Sequence, residues 1–273
     1  MKYKYALVEG IRRQAEPGLT GKCQGCGSAM TAKCGERRVW HWAHLGDRQC
    51  DRWWEPETPW HRSWKEKFPD EWQEVIHWAE DGEKHIADVK TEHGQVIEIQ
   101  HSYLKPTERR SREEFYPRLF WVVDGLRRMR DKSSFEKALR LARVIRRKPL
   151  TFLVPPNHCA LLREWADSRV GVFFDFGSPV EDIIRFGVPV LWRLDPKSPK
   201  GWALLAPIPQ VSFLDAFLKE TPLKGIDFTS AIERACRIPV QTGYRRRQRR
   251  PHWSTSSQRY MARKQRAPAR RRM

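Results

Sequence analysis

His85-Ile86-Ala87-Asp88-Val89-Lys90 and Val96-Ile97-Glu98-Ile99-Gln100-His101-Ser102 are the two runs on which the fold of this chain turns. Both alternate. Ala87 and Val89 share one face of the first run, Asp88 and Lys90 the other. In the second, Ile97 and Ile99 oppose Glu98 and Gln100. Thr91-Glu92-His93-Gly94 lies between them and predicts a hairpin turn with Gly94 at positive φ. Pairing about that turn sets Asp88 roughly opposite Glu98. Most charged strand faces are only solvated. Here, however, poor strand formers sit inside β-branched runs. An Asp and a Glu face to face also repel unless something positive lies between them. A divalent cation held by oxygen ligands is the economical candidate.

Working outward, Glu57-Thr58-Pro59-Trp60-His61-Arg62-Ser63-Trp64-Lys65 precedes the hairpin. Thr58-Pro59 fits a helix cap followed by proline in the first turn, within a helix expected over 55–68. Trp60, Trp64 and Phe68 make its apolar stripe, and His61 and Lys65 lie i, i+4 on one side. Residues 71–80 read as a strand leading into the hairpin, and 107–118 as an Arg-rich helix. Leu119-Phe120-Trp121-Val122-Val123-Asp124-Gly125 has the composition of a buried strand. Strand, hairpin, helix and buried strand in that order describe an α/β core with a crossover helix. Further on, 135–147 reads as a basic amphipathic helix. Strands are expected over 150–154, 170–176, 188–194 and 202–205, and a short helix over 213–218.

Upstream, Cys23-Gln24-Gly25-Cys26-Gly27, Trp40-His41-Trp42-Ala43-His44 and Cys50 supply soft and borderline metal ligands. The expected set is Cys23, Cys26, His44 and Cys50 around a structural, tetrahedral Zn²⁺, with His41 as the alternative histidine. Clustered thiols of this kind suit metal binding in a reducing compartment. Met1–Glu9 lacks the apolar core of a signal peptide, and no apolar run is long enough to span a membrane. The expected location is the cytoplasm, without membrane insertion.

The net charge is +19, and residues 244–273 alone carry twelve Arg or Lys with no Asp or Glu. A polyanionic partner is therefore expected, nucleic acid before membrane. Candidate phosphate contacts are Arg109 and Arg112 on the Arg-rich helix and Arg245, Arg246, Arg247, Arg249 and Arg250 in the tail. Arg127-Arg128-Met129-Arg130 and Arg146-Arg147-Lys148 are expected to extend the basic surface.

Taken together, these motifs resemble the competence protein CoiA-like family over about residues 15–125. The resemblance implies an N-terminal zinc-binding module followed by a nuclease domain of the PD-(D/E)XK type, restriction-endonuclease-like, with a mixed sheet flanked by helices. Its expected division is 1–54 zinc module with an N-terminal strand, 55–148 nuclease core and 241–273 disordered Arg-rich tail. Residues 149–240 are either a continuation of the sheet or a second domain. Asp88 and Glu98 match the family's metal-binding acids, for Mg²⁺ or Mn²⁺, and Glu57 its helix-borne acid. Gln100 stands where the wider superfamily carries lysine, which leaves His61 or Lys65 to supply a positive group near the phosphate. The implied function is metal-dependent hydrolysis of DNA, single- or double-stranded, in uptake, recombination or repair, with partners from those processes. A non-catalytic DNA-binding adaptor on the same fold is one alternative, supported by Gln100. A zinc-finger RNA-binding protein is another.

Overall fold

A computed structural model describes residues 3–36, 39–46, 50–53, 57–177 and 187–219. The tail from 220 onward, with Cys236 and the five tail arginines, lies outside the described residues.

The N-terminal part is an antiparallel sheet of β1 (Tyr5–Val8), β2 (Ile11–Gln14), β3 (Thr20–Lys22), β4 (Ala29–Lys33) and β5 (His41–His44), in the order β2-β1-β3-β4-β5. Tyr3, Ala6, Met30 and Trp42 fill its small core, together with Cys23. Three of these strands carry no long alternating run, and the sequence alone does not predict them.

The main body begins with helix α1 (Pro59–Lys65) and β6 (Gln73–Trp78). Thr58 caps α1 as expected: its Oγ1 accepts the His61 N–H at 3.1 Å. The hairpin follows as β7 (Lys84–Lys90) and β8 (Val96–Gln100), paired antiparallel with Val89 opposite Ile97 and Lys90 opposite Val96. Gly94 takes φ +76° in the turn, as its position predicts. Helix α2 (Pro106–Phe115) then crosses over to β9 (Leu119–Asp124), which lies parallel to β8.

Beyond β9 come α3 (Asp131–Arg140), β10 (Arg143–Arg147), β11 (Leu150–Val154), α4 (Ala160–Trp165), β12 (Gly171–Asp175), β13 (Val190–Leu194), β14 (Ala203–Pro209) and α5 (Gln210–Leu218). All five strands join the hairpin's sheet, whose order is β10-β11-β14-β13-β12-β9-β8-β7-β6. Within 149–177 and 187–219 the strands thus continue one mixed sheet. The helix expected over 135–147 is corrected. It ends at Arg140, and Arg143-Val144-Ile145-Arg146-Arg147 forms an edge strand against β11. Val144-Ile145 favours strand once a partner is present, and that partner lies beyond the reach of local periodicity.

Helices cover both faces of the sheet. Phe135, Leu139, Leu161 and Trp165 pack with Trp121, Val123 and Phe174 on one side. Trp64, Phe213 and Phe217 pack with Val122, Ile97, Ile99 and Phe173 on the other. Alternate residues of β9 and β12 feed the two cores, which is why both strands read as continuous apolar runs. Gly125 ends β9 where Phe176 and the Asp175 carbonyl approach too closely for any Cβ.

Candidate functional site: an acidic cavity beside a cysteine cluster

The polar face of β8 is buried, and Asp88 across from it on β7 is only partly exposed. Glu98 and Gln100 are 4% and 2% exposed. The β7–β8 register carries Asp88 to the level of Glu98, where the Asp88 carboxylate accepts the Ile99 N–H at 2.9 Å. Asp88 and Glu98, together with Glu57, His61 and Lys65 from the α1 region, line one cavity of about 50 Å³. Five of the six expected catalytic residues therefore meet. Gln100 is not among the lining residues, and its amide donates to Ser102 instead.

The cavity is electrostatically crowded. His61 Nε2 lies 3.0 Å from Asp88 Oδ1. Burial works to raise the Asp88 carboxyl, but His61, Lys65 and the Ile99 N–H outweigh it, and the group ends below the usual carboxylate range. Glu98 goes the other way. Burial, then the charge of Asp88, push it up to about 8 against the opposing pull of Arg112. Glu98 Oε2 receives Arg112 at 2.9 Å, while Oε1 is buried without a hydrogen-bond partner. Glu57 is buried too, yet Lys65 and Arg62 hold it low.

Three residues that the sequence reading passes over complete the cavity. Glu74 on β6 accepts Lys65 Nζ at 2.7 Å and the backbone N–H groups of Lys4 and Tyr5. Asp51 accepts the Ile86 N–H at 2.8 Å and lies 2.9 Å from His85 Nδ1. Tyr3 reaches in from the N-terminal sheet, its hydroxyl 3.3 Å from Cys50 Sγ. A register count of β6 against β7 would have found Glu74. Nothing local marks Asp51 or Tyr3.

Arg109 and Arg112 are corrected. Both are buried, at 1% and 5% exposure, and cannot present a DNA-facing surface. Arg109 pairs with Asp167 and donates to the Glu164 carbonyl, and its guanidinium lies over Trp165. Arg112 joins Glu98, Glu108 and the Trp53 carbonyl. Arg127 and Arg128 are likewise engaged with Asp131 and Glu164. Some of their acidic partners are local, as Glu108, Glu113 and Asp131 are, but Asp167, Glu98 and Glu164 come from other elements, so the burial of these arginines is not visible in either segment read alone. The tail arginines Arg245, Arg246, Arg247, Arg249 and Arg250 lie outside the described residues.

Next to Asp51 stands the cysteine cluster. One ligand atom each from Cys23, Cys26, His44 and Cys50 lies within 4.8 Å of all the others, so the set could hold a metal ion. Among the described residues it is the only such group of three or more His, Cys, Asp or Glu side chains. His44 takes the histidine place. His41 turns away, its Nδ1 2.8 Å from the Val39 carbonyl oxygen. Three residues apart on one strand, the two rings face opposite ways. The Cys50 thiol shared with Cys23 lowers Cys23 to about 5 and raises Cys50.

Among the described residues no helix is long and apolar enough to cross a membrane. Compared with models of known protein families, with curated protein sequences and with solved structures, the chain matches none of them.

Proposed function

We propose that the chain is a metal-dependent nuclease of the PD-(D/E)XK type, related to the CoiA-like family, that hydrolyses phosphodiester bonds of DNA. The observation that carries this reading is the meeting of Asp88 and Glu98 from a buried hairpin with Glu57, His61 and Lys65 in one cavity. The donor chemistry suits a hard cation. Asp88 is held below the usual carboxylate range, and Glu98 Oε1, buried without a hydrogen-bond partner, is an oxygen that Mg²⁺ or Mn²⁺ would satisfy in place of the proton that burial favours there. Such an ion completes its shell with water, so two carboxylates are enough to anchor it. When bound, it would supply Lewis acidity toward a scissile phosphate and an attacking water.

The chain's own residues divide the remaining work. Asp88 and Glu98 bind and orient. Arg112 holds the Glu98 carboxylate at Oε2 and leaves Oε1 turned inward. His61, against Asp88, is placed to accept or return a proton at Nε2. Lys65 supplies positive charge near the phosphate, the part that Gln100 cannot play. At about 50 Å³ the cavity takes an ion and its water but not a nucleotide, so the phosphodiester must be offered at its mouth.

The cysteine cluster fits structural Zn²⁺. Zinc–sulfur bonds of about 2.3 Å give a tetrahedron with edges of about 3.8 Å, and Cys23 Sγ and Cys50 Sγ are 3.7 Å apart. All four positions are filled by protein, and no substrate position is left. The Arg-rich tail adds sequence-independent phosphate affinity in this reading. The alternative, a DNA-binding adaptor without turnover, is favoured by Gln100, whose amide turns to Ser102. Uptake, recombination or repair of DNA in the cytoplasm is the setting that the family resemblance suggests.

Cleavage of single-stranded, duplex and branched DNA with Mg²⁺ tests the proposal. Asp88→Ala and Glu98→Ala should each abolish cleavage while zinc content and circular dichroism stay those of the wild type. Unchanged cleavage in both variants would overturn the assignment. Absent cleavage in the wild type, with DNA binding retained, would establish the adaptor.

A further inference from the structure

The β6–β7 register sets Gln73 opposite Val89 and Val75 opposite Ala87, so Glu74 stands across from Asp88. Asp88 in turn stands level with Glu98. Three carboxylates therefore occupy one level of three adjacent strands. Glu74 achieves this with φ +49°, a backbone conformation that costs an L residue on the order of 1 kcal/mol. Glycine would relieve that strain, yet the chain carries a glutamate there, 4% exposed. Its side chain, with that of Glu57, grips one atom. Lys65 Nζ lies 2.5 Å from Glu57 Oε1 and 2.7 Å from Glu74 Oε1, and Lys65 is 2% exposed.

Two buried carboxylates converging on one buried cation make an arrangement of charge and oxygen donors that a small divalent ion could also occupy, with its ligands drawn in to about 2.0–2.1 Å. Phosphoryl-transfer sites with two metals place the ions about 3.5–4 Å apart, clamping the attacking and leaving oxygens. The cavity has donors of both kinds: Asp88 with the unpartnered Glu98 Oε1 on one side, Glu57 and Glu74 on the other.

We propose that Lys65 Nζ stands in the place of a second divalent cation. The cavity then binds one metal ion, at Asp88 and Glu98, and uses its own ammonium between Glu57 and Glu74 where a two-metal site would hold another. This rests on the nuclease reading for its role in catalysis, but the cation replacement can be measured without it. Glu74 is then a positioning residue, aiming the ammonium and keeping it charged inside the protein.

Mn²⁺ binding to the full-length, zinc-loaded chain, counted by electron paramagnetic resonance, tests it. Lys65→Ala should bind one more Mn²⁺ per chain than the wild type, and Lys65→Ala/Glu74→Gln should lose that extra ion. Should Lys65→Ala fold poorly without metal, its thermal midpoint should climb with Mn²⁺ concentration, while that of the double variant should not. No increment and no Mn²⁺-dependent stabilisation in Lys65→Ala would overturn the proposal, as would two ions in the wild type. The wild-type count reports separately on the nuclease reading. One ion, lost in Glu98→Gln, supports it. None contradicts it and leaves the increment between wild type and Lys65→Ala to decide the role of Lys65.

Discussion

Glu98→Gln should stabilise the metal-free protein at alkaline pH while removing its Mg²⁺ affinity. In the fold, Glu98 is raised from 4.5 to about 8 by burial and by Asp88. A carboxyl raised in this way binds its proton more tightly folded than unfolded. Its contribution to stability is therefore complete below pH 4.5 and is lost as pH climbs through 8. At about 1.4 kcal/mol per pH step, the shift caps the loss at about 5 kcal/mol. Asp88 and Glu98 titrate as a pair, so the expected difference at pH 8.5 is about 2–3 kcal/mol. Glutamine copies the protonated form and keeps an oxygen for Arg112. The variant should match the wild type near pH 5 and melt about 4–10 °C higher at pH 8.5. Thermal melts across pH 5–9 in EDTA-free, Mg²⁺-free buffer, on zinc-loaded protein, give the comparison. Adding Mg²⁺ at pH 8.5 should close the gap by stabilising only the wild type. Parallel melting curves for the two proteins across the whole range would refute the argument.

Arg109→Ala should cost about 3 kcal/mol of stability in urea titration, because it strips Glu113 and Asp167 of a buried cation. DNA affinity of the folded variant should be unchanged. Gly125→Ala should cost about 1–3 kcal/mol, since its Cβ would lie 2.4 Å from a Phe176 ring carbon. Deleting residues 244–273, which hold twelve cations and no acid, should flatten the dependence of DNA affinity on salt more than it lowers cleavage of saturating substrate; an unchanged slope in a binding titration would remove the tail from the interface.

The hairpin, its turn at Gly94, helix α1 with its Thr58 cap and the buried strand β9 were legible because each is fixed by neighbours in sequence. So was the cysteine set, down to its four members. The choice of His44 over His41 needed only the strand's alternation together with the position of the other three ligands. What stayed hidden depends on register or on distant partners. Glu74 joins the cavity through pairing across β6 and β7 and through a left-handed residue that no composition announces. Arg112 looks like a surface cation until Glu98 and the Trp53 carbonyl are brought to it. The edge strand β10 looks like the last turns of a helix until β11 pairs with it. Chemistry carried by one segment could be read, whereas chemistry assembled from several could be read only in part.

Asp88 and Glu98 are proposed to share a divalent cation beside Lys65. Replacing Mg²⁺ by Fe²⁺ and generating hydroxyl radicals with ascorbate and peroxide maps that ion directly, because the chain is cut within reach of the iron. Cuts are expected near residues 57–65 and 88–99, suppressed by excess Mg²⁺ and abolished by Glu98→Gln. Cuts confined to residues 23–50, or cuts that Glu98→Gln leaves intact, would contradict the shared site.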